Sequence, residues 1–220
     1  MIDYFDHIYV ICLPERMEKF ARLRKGLQRF YPEAEPQYFE AVDSRKYNNH
    51  FAGHTLASRR VIEHAKGHDY KRILVFEEDA IFHKYFNYYF DNAIKELRAR
   101  NWDMLKLGGH NWEYEFPKVP GCNFLEVDNQ STCTHGIAVN ETIYDVILKE
   151  IPDNLEAVLE GKFVIDQWYL NNFGRNSLKG RHYYHFITSP RICTQDPLMG
   201  SADSGKPDNK EDFYIPNKEK

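Results

Sequence analysis

The chain sets four consecutive apolar residues, Ile73 to Phe76, directly against three consecutive acids, Glu77, Glu78 and Asp79. A short run that is apolar on every residue reads as a central strand covered on both faces. Three adjacent carboxylates at its end repel one another and need a partner. In an open α/β sheet that end is also where ligands bind. Carboxylate oxygens suit a hard divalent cation, Mn2+ or Mg2+. Alternation along an extended chain puts Glu77 and Asp79 on one side and Glu78 on the other. Glu77 and Asp79 are therefore the natural chelating pair, and Glu78 is left to support them or to cap a helix. A solvated loop whose acids cap the next helix is the alternative reading.

The flanking segments alternate strand and helix. His7 to Leu13 is an apolar run rich in β-branched residues and predicts a buried strand. Pro14 then opens a helix to about Phe30, with Met17, Phe20, Leu23, Leu27 and Phe30 as its inward stripe. Pro36 to Asp43 predicts a second strand, and Thr55 to Lys66 a second helix. After the acids, Phe82, Tyr85, Phe86, Tyr89, Phe90, Ala93, Ile94 and Leu97 follow helical spacing. Asp103 to Gly108, Phe124 to Val127, Gly136 to Val139 and the segment around His185 predict further strands. Asn140 is placed to cap a helix carrying Ile143, Ile147 and Ile151, and the region of Asp166 reads as helical. This order implies βαβ units and an α/β fold with a mainly parallel central sheet flanked by helices. Residues 1–199 are expected to form one domain, in two halves, 1–110 and 111–199. Residues 200–220 are polar and read as a tail or lid.

Composition excludes several classes. With 29 Lys and Arg against 33 Asp and Glu, the chain has no general attraction to nucleic acid. No apolar run approaches the roughly 18 residues of a membrane span. The N-terminus lacks a basic region and a small-residue cleavage site, so it reads as a first strand rather than a signal peptide. A cytoplasmic protein is expected, with peripheral membrane contact left open. The four cysteines form no C-x-x-C pair and are expected to be free thiols, with Cys12 a small buried hydrophobe. The chain also lacks the glycine-rich phosphate loops of nucleotide-binding folds. A nucleotide site here would need a metal and scattered basic residues, which "LPER" and the cation-rich helix after it can supply.

Several motifs together resemble glycosyltransferase family 25, whose members build lipooligosaccharide or glycosylate collagen. "IYVICLPERMEKFARL" is similar to the family's opening strand and Arg-rich helix start, with Cys12 at its usual Asn. "FEAVD" resembles its Ala-Val-Asp-Gly, with Ser44 at the Gly. "AGHTLASRRVIEHA" is similar to the segment around its Leu-Ser-His, with Arg59 at the His. "VFEEDAIF" resembles Leu-Glu-Asp-Asp-Val, "WDMLKLGG" resembles Trp-Asp-Ile-Leu-x-Leu-Gly, and "CTHGIAVN" retains a His, His135. "VIDQWYL" and "SPRICTQDPLMGSADSG" are similar to its later elements, and the matches keep their order from about Ile8 to Asp203. The resemblance implies a GT-A type nucleotide-binding fold, with 1–110 the nucleotide-sugar-binding half and 111–199 the acceptor and catalytic half. It implies transfer of a hexose, often galactose, from a UDP-sugar to a glycan or glycoconjugate acceptor, with inversion. A metal would bridge the diphosphate and the acidic motif. It places nucleotide-sugar contacts at Leu13, Pro14, Arg16, Asp43, Ser58, Arg59 and Glu78.

The remaining candidates carry both a chemical and a bland reading. Asp166 is the candidate base for the acceptor hydroxyl, or else an N-cap. His135 and His185 are candidate third metal ligands alongside Glu77 and Asp79, or else hydrogen-bonded structural residues. Arg16 and Arg59 suit phosphate or sugar, and Asp43 a base or ribose, or else a solvated face and a turn. His50/His54 and His64/His68 have helical i,i+4 spacing but read as surface or loop histidines, interrupted by Gly53 and Gly67. Trp112, Tyr114, Trp168 and Tyr169 are core residues or sugar-stacking platforms. Two other function classes stay open at this point: an inactive binding protein that keeps the fold, and a Mg2+-dependent phosphoryl-transfer enzyme.

Overall fold

Strand β3 (Arg72–Glu77) lies third from the edge of a seven-stranded sheet, with two strands on one side of it and four on the other. The sheet is built from β1 (His7–Cys12), β2 (Gln37–Glu40), β3, β5 (Met104–Lys106), β6 (Leu125–Val127), β7 (Gly136–Asn140) and β8 (His185–Thr188), in the order β2-β1-β3-β7-β5-β8-β6. Pairing directions make β1, β2, β3, β5 and β8 run one way and β6 and β7 the other. The computed structural model describes residues 1–109, 116–128, 131–173, 183–196 and 213. Trp112 and Tyr114, and the expected tail apart from Phe213, lie outside them.

Side chains alternate across β3, and the core divides with them. Leu74 and Phe76 join Val10, Leu105 and Ala138 under α1 (Met17–Gln28) and α3 (Phe86–Arg98). Ile73 and Val75 join Tyr9, Ile11, Met104 and Val139 under α2 (His50–Gly67), α4 (Tyr144–Glu150) and α6 (Ile165–Phe173). The result is a helix–sheet–helix sandwich, the arrangement expected when both faces of a strand are apolar. Trp168 and Tyr169 belong to this core, at 8% and 1% exposure. A short helix, α5 (Leu155–Glu160), precedes α6 and is capped by Asn154, whose side chain accepts from Ala157 N–H.

Several boundaries differ from the sequence expectation. Phe82 is not the first turn of a helix. Ala80–Phe82 is a strand, β4, paired antiparallel with β9 (Cys193–Gln195), and α3 begins at Phe86. The helical spacing of Phe82 and Phe86 reflects a shared aromatic cluster, with ring centroids 4.8 Å apart. Helix α1 is preceded by a 3-10 turn, Pro14–Arg16, and Met17 is 42% exposed rather than inward. Asn140 makes no side-chain cap bond, because its amide donates to the Trp102 carbonyl at 3.0 Å. Helix α2 starts at His50, capped by Asn49, and runs through Gly53 without a break.

That continuity has a steric cause. A Cβ on Gly53 would stand 2.0 Å from the Val42 carbonyl oxygen and 2.6 Å from Ser44 Oγ. Backbone, unlike a flexible side chain, cannot give way cheaply. Glycine there lets α2 approach the loop after β2 and so closes one wall of the space beyond β3. Helix propensity alone says that Gly53→Ala stabilises, by about 1 kcal/mol. The structure predicts the opposite sign, a loss of about 2 kcal/mol from overpacking. Gly67→Ala meets nothing within 4 Å and is predicted to gain about 0.5 kcal/mol. Urea unfolding of the two variants measures both.

Candidate active site

Glu77 ends β3 with its backbone N–H donating to the His135 carbonyl at 3.2 Å. Its carboxylate falls on the α2 side, where three groups meet it. The Thr134 hydroxyl donates to Oε1 at 2.7 Å, His54 Nε2 lies 3.6 Å from Oε1, and His135 Nδ1 lies 3.8 Å from Oε2. The chain then turns. Glu78 swings to the other side and accepts from Arg16 at 2.7 Å. Asp79 is fixed from β9: Gln195 Nε2 donates to Oδ2 at 2.6 Å, and the Asp79 carbonyl accepts Asp196 N–H at 2.8 Å. Asp79 Oδ1 is buried with no hydrogen-bond partner among the described residues.

One ligand atom each from Glu77, Asp79 and His135 can be chosen within 4.8 Å of one another. The charges are unequal. Burial raises Glu77, but His54, His135 and the Thr134 hydroxyl outweigh it and hold the carboxyl below its ordinary range. Asp79 goes the other way, raised by burial and by the Glu77 charge beside it. Burial lowers His135, yet Cys133 and Glu77 raise it well above an ordinary imidazole. Burial and the Glu77 charge thus oppose ionisation of Asp79, a penalty that a cation bound between the two acids would relieve. Two carboxylates and an imidazole around an unsatisfied oxygen form a donor set that fits a divalent cation such as Mn2+.

A cleft of about 340 Å3 opens beside this triad. Of the residues that the sequence singled out, Leu13, Arg16, Asp43, Glu77, Glu78, Asp79, His135 and Asp166 all line it. Asp166 sits at the start of α6, where its Oδ2 accepts Cys133 N–H at 3.2 Å and its Oδ1 accepts Gln167 N–H at 2.7 Å. Asp43 is engaged by Arg45, through Nε at 2.8 Å and the backbone N–H at 3.0 Å. Pro14 adjoins the cleft in the 3-10 turn without lining it.

Three candidates are placed elsewhere. Ser58 and Arg59 are buried on α2, and Arg59 donates to the Ile151 carbonyl at 2.9 Å and to Glu63 at 3.0 Å. These bonds hold the guanidinium away from the residues that line the cleft. His185 is buried on β8 with its Nε2 3.5 Å from Asp128, apart from the Glu77 cluster. Both His50 and His54 line the cleft, because α2 begins early enough to carry them there; His50 is exposed, as the surface reading has it, whereas His54 is half-buried and turned toward Glu77. Thr134, Cys133 and Gln195 were quoted only inside longer motifs, yet all three touch the acids or line the cleft.

No protein-family model matches the chain, and no curated protein sequence does. Among solved structures, one described as a glycosyltransferase involved in the glycosylation of the major capsid of PBCV-1 aligns with a TM-score of 0.51. The alignment covers 82% of this chain and 79% of that one, at 11% identity. The two share a fold. No helix among the described residues is long and apolar enough to cross a membrane.

His185 supplies a pH test of the surrounding core. Burial pushes its imidazole down to about 4, with Asp128 opposing and Lys106 adding to the effect. The unfolded chain would take up that proton near pH 6.5. The stability it contributes is therefore complete above pH 6.5 and is lost as pH falls toward 4, by about 3 kcal/mol. His185→Gln is predicted to flatten the stability profile across that window relative to wild type. Chemical denaturation at a series of pH values measures it; coincident profiles would contradict the assignment.

Proposed function

We propose that the protein is a metal-dependent glycosyltransferase that moves a hexose from a UDP-sugar to a glycan or glycoconjugate acceptor. The observation that carries this reading is the convergence of Glu77, Asp79 and His135 at the carboxyl end of β3, inside a cleft of a fold shared with a glycosyltransferase. The motif resemblance to family 25 supports the same reading, since the acids stand at its acidic motif.

Charge balance explains why a cation is needed. The arginines lining the cleft already face carboxylates: Arg16 pairs with Glu78, and Arg45 with Asp43 and Glu15. A diphosphate entering the cleft would otherwise meet Glu77, Glu78, Asp79, Asp43 and Asp166. Glu77, Asp79 and His135 would hold the ion, and Glu78 would orient Arg16. A cation held there would supply positive charge to offset the charge that develops on a departing diphosphate. Asp166 has its carboxylate fixed by two backbone N–H groups and faces the cleft, placed to take the proton of an acceptor hydroxyl in an inverting transfer.

Replacing Asp79 separates site from scaffold. Because its ionisation is opposed by burial and by Glu77, Asp79→Asn removes a charge that the folded state carries at a cost. The variant is predicted to melt at or above the wild-type temperature without metal. It should lose the Mn2+-dependent rise in melting temperature and roughly 100-fold or more of UDP release from a UDP-hexose. Glu77→Ala should lose the same activity. Calorimetric melting with and without Mn2+, and a UDP-release assay, test both. Full turnover by a folded variant would refute the assigned motif, whereas wild type that binds nucleotide-sugar without turnover would favour an inactive binding protein.

A further inference from the structure

Lysine is almost never fully buried, yet Lys106 sits on β5 inside the sheet at 0% exposure. Its Nζ donates to the Ser131 carbonyl at 2.5 Å and to the Ser131 hydroxyl at 3.0 Å, and lies 3.4 Å from Asp128 Oδ2. Asp128 is 3% exposed and grips the same residue, accepting Ser131 N–H at 2.9 Å and the Ser131 hydroxyl at 2.6 Å. Two buried opposite charges thus converge on one serine. Such a pair adds little net stability, because removing both ions from water costs about as much as their attraction returns. Stability alone does not explain why this sheet holds one.

The four residues after Ser131 do. Cys133 gives its N–H to Asp166, Thr134 gives its hydroxyl to Glu77, and His135 brings both its carbonyl and its ring to Glu77. Each group of the candidate site on this side of the cleft comes from this one segment. Its backbone is under tension: Cys133 has φ 76°, a left-handed conformation that costs a non-glycine residue of order 1 kcal/mol. A strained segment keeps its shape only if it is held at both ends. One end enters β7 at Gly136. The other is Ser131. Gly109 packs beneath it, where a Cβ would come within 2.9 Å of the Thr132 carbonyl.

We infer that Lys106 and Asp128 are positioning residues. Neither lines the cleft. By clamping Ser131 they fix the 131–135 segment, and so set where Thr134 and His135 meet Glu77 and Asp79. The consequence for metal binding rests on the function proposed above; the clamp itself does not.

The test is the double variant Lys106→Met/Asp128→Asn, which removes both charges at nearly constant volume. It is predicted to melt at the wild-type temperature or higher. It should exchange the backbone hydrogens of 131–135 about tenfold faster, label Cys133 faster with a thiol reagent, and bind Mn2+ at least about tenfold more weakly. Ser131→Ala, which deletes only the shared hydroxyl, should shift the same readouts less and serves if the double variant does not fold. Wild-type exchange and labelling in a folded variant would overturn the clamp. Faster exchange with unchanged Mn2+ affinity would overturn its positioning role. If wild type binds no Mn2+, the metal reading fails on its own, and exchange and Cys133 labelling still decide whether the pair fixes the segment.

Discussion

The repulsion between Glu77 and Asp79 is the constraint around which this end of the molecule is built. Two carboxylates at the end of a buried strand oppose folding unless their surroundings compensate. The surroundings treat them differently: Glu77 receives the Thr134 hydroxyl and two imidazoles, while Asp79 receives one amide from Gln195 and its Oδ1 finds no hydrogen-bond partner among the described residues. The compensating groups come from three separate elements: His54 from α2, Thr134 and His135 from the loop before β7, and Gln195 from β9. The topology therefore serves the acids. Inserting antiparallel β7 beside β3 brings His135 level with Glu77, and the small β4–β9 sheet carries Gln195 over Asp79.

The third acid of the run has a separate fate. Glu78 turns to Arg16 across the mouth of the cleft and takes no part in the cluster of Glu77, Asp79 and His135. An acid that neutralises an arginine at a sheet edge controls how much positive charge that edge offers a ligand. With Arg45 similarly engaged, the arginines of the cleft already face carboxylates, and under the proposed function an added cation would supply the charge that an anionic substrate needs. Pairs this exposed contribute little to stability, so their effect lies in the local field.

The fold class was legible because it rests on periodicity. The unbroken apolar run of β3 and the spacing of Phe86, Phe90, Ala93, Ile94 and Leu97 survive any tertiary context. Boundaries failed where tertiary contacts overrode local pattern. Phe82 has helical spacing from Phe86, yet it pairs across to Cys193, more than a hundred residues away and invisible to any local window. Arg59 looked like a phosphate ligand because nothing in the sequence reveals that Ile151 offers it a carbonyl. His54 looked like half of a surface pair, and only the start of α2 at His50, earlier than the local pattern indicates, carries it to Glu77. The part of the site carried by consecutive residues was readable. Of the part assembled by chain crossings, His135 and Asp166 stood out as candidates by residue type, whereas Gln195 and Thr134 did not.

The central claim is that Glu77, Asp79 and His135 together hold a divalent cation. Crystals grown with Mn2+ and UDP, measured at the manganese absorption edge, test it most directly. The account predicts one anomalous peak in ligating contact with Glu77, Asp79 and His135, with Glu78 still paired to Arg16. An ion ligated by Glu78, or bound away from the end of β3, would contradict it.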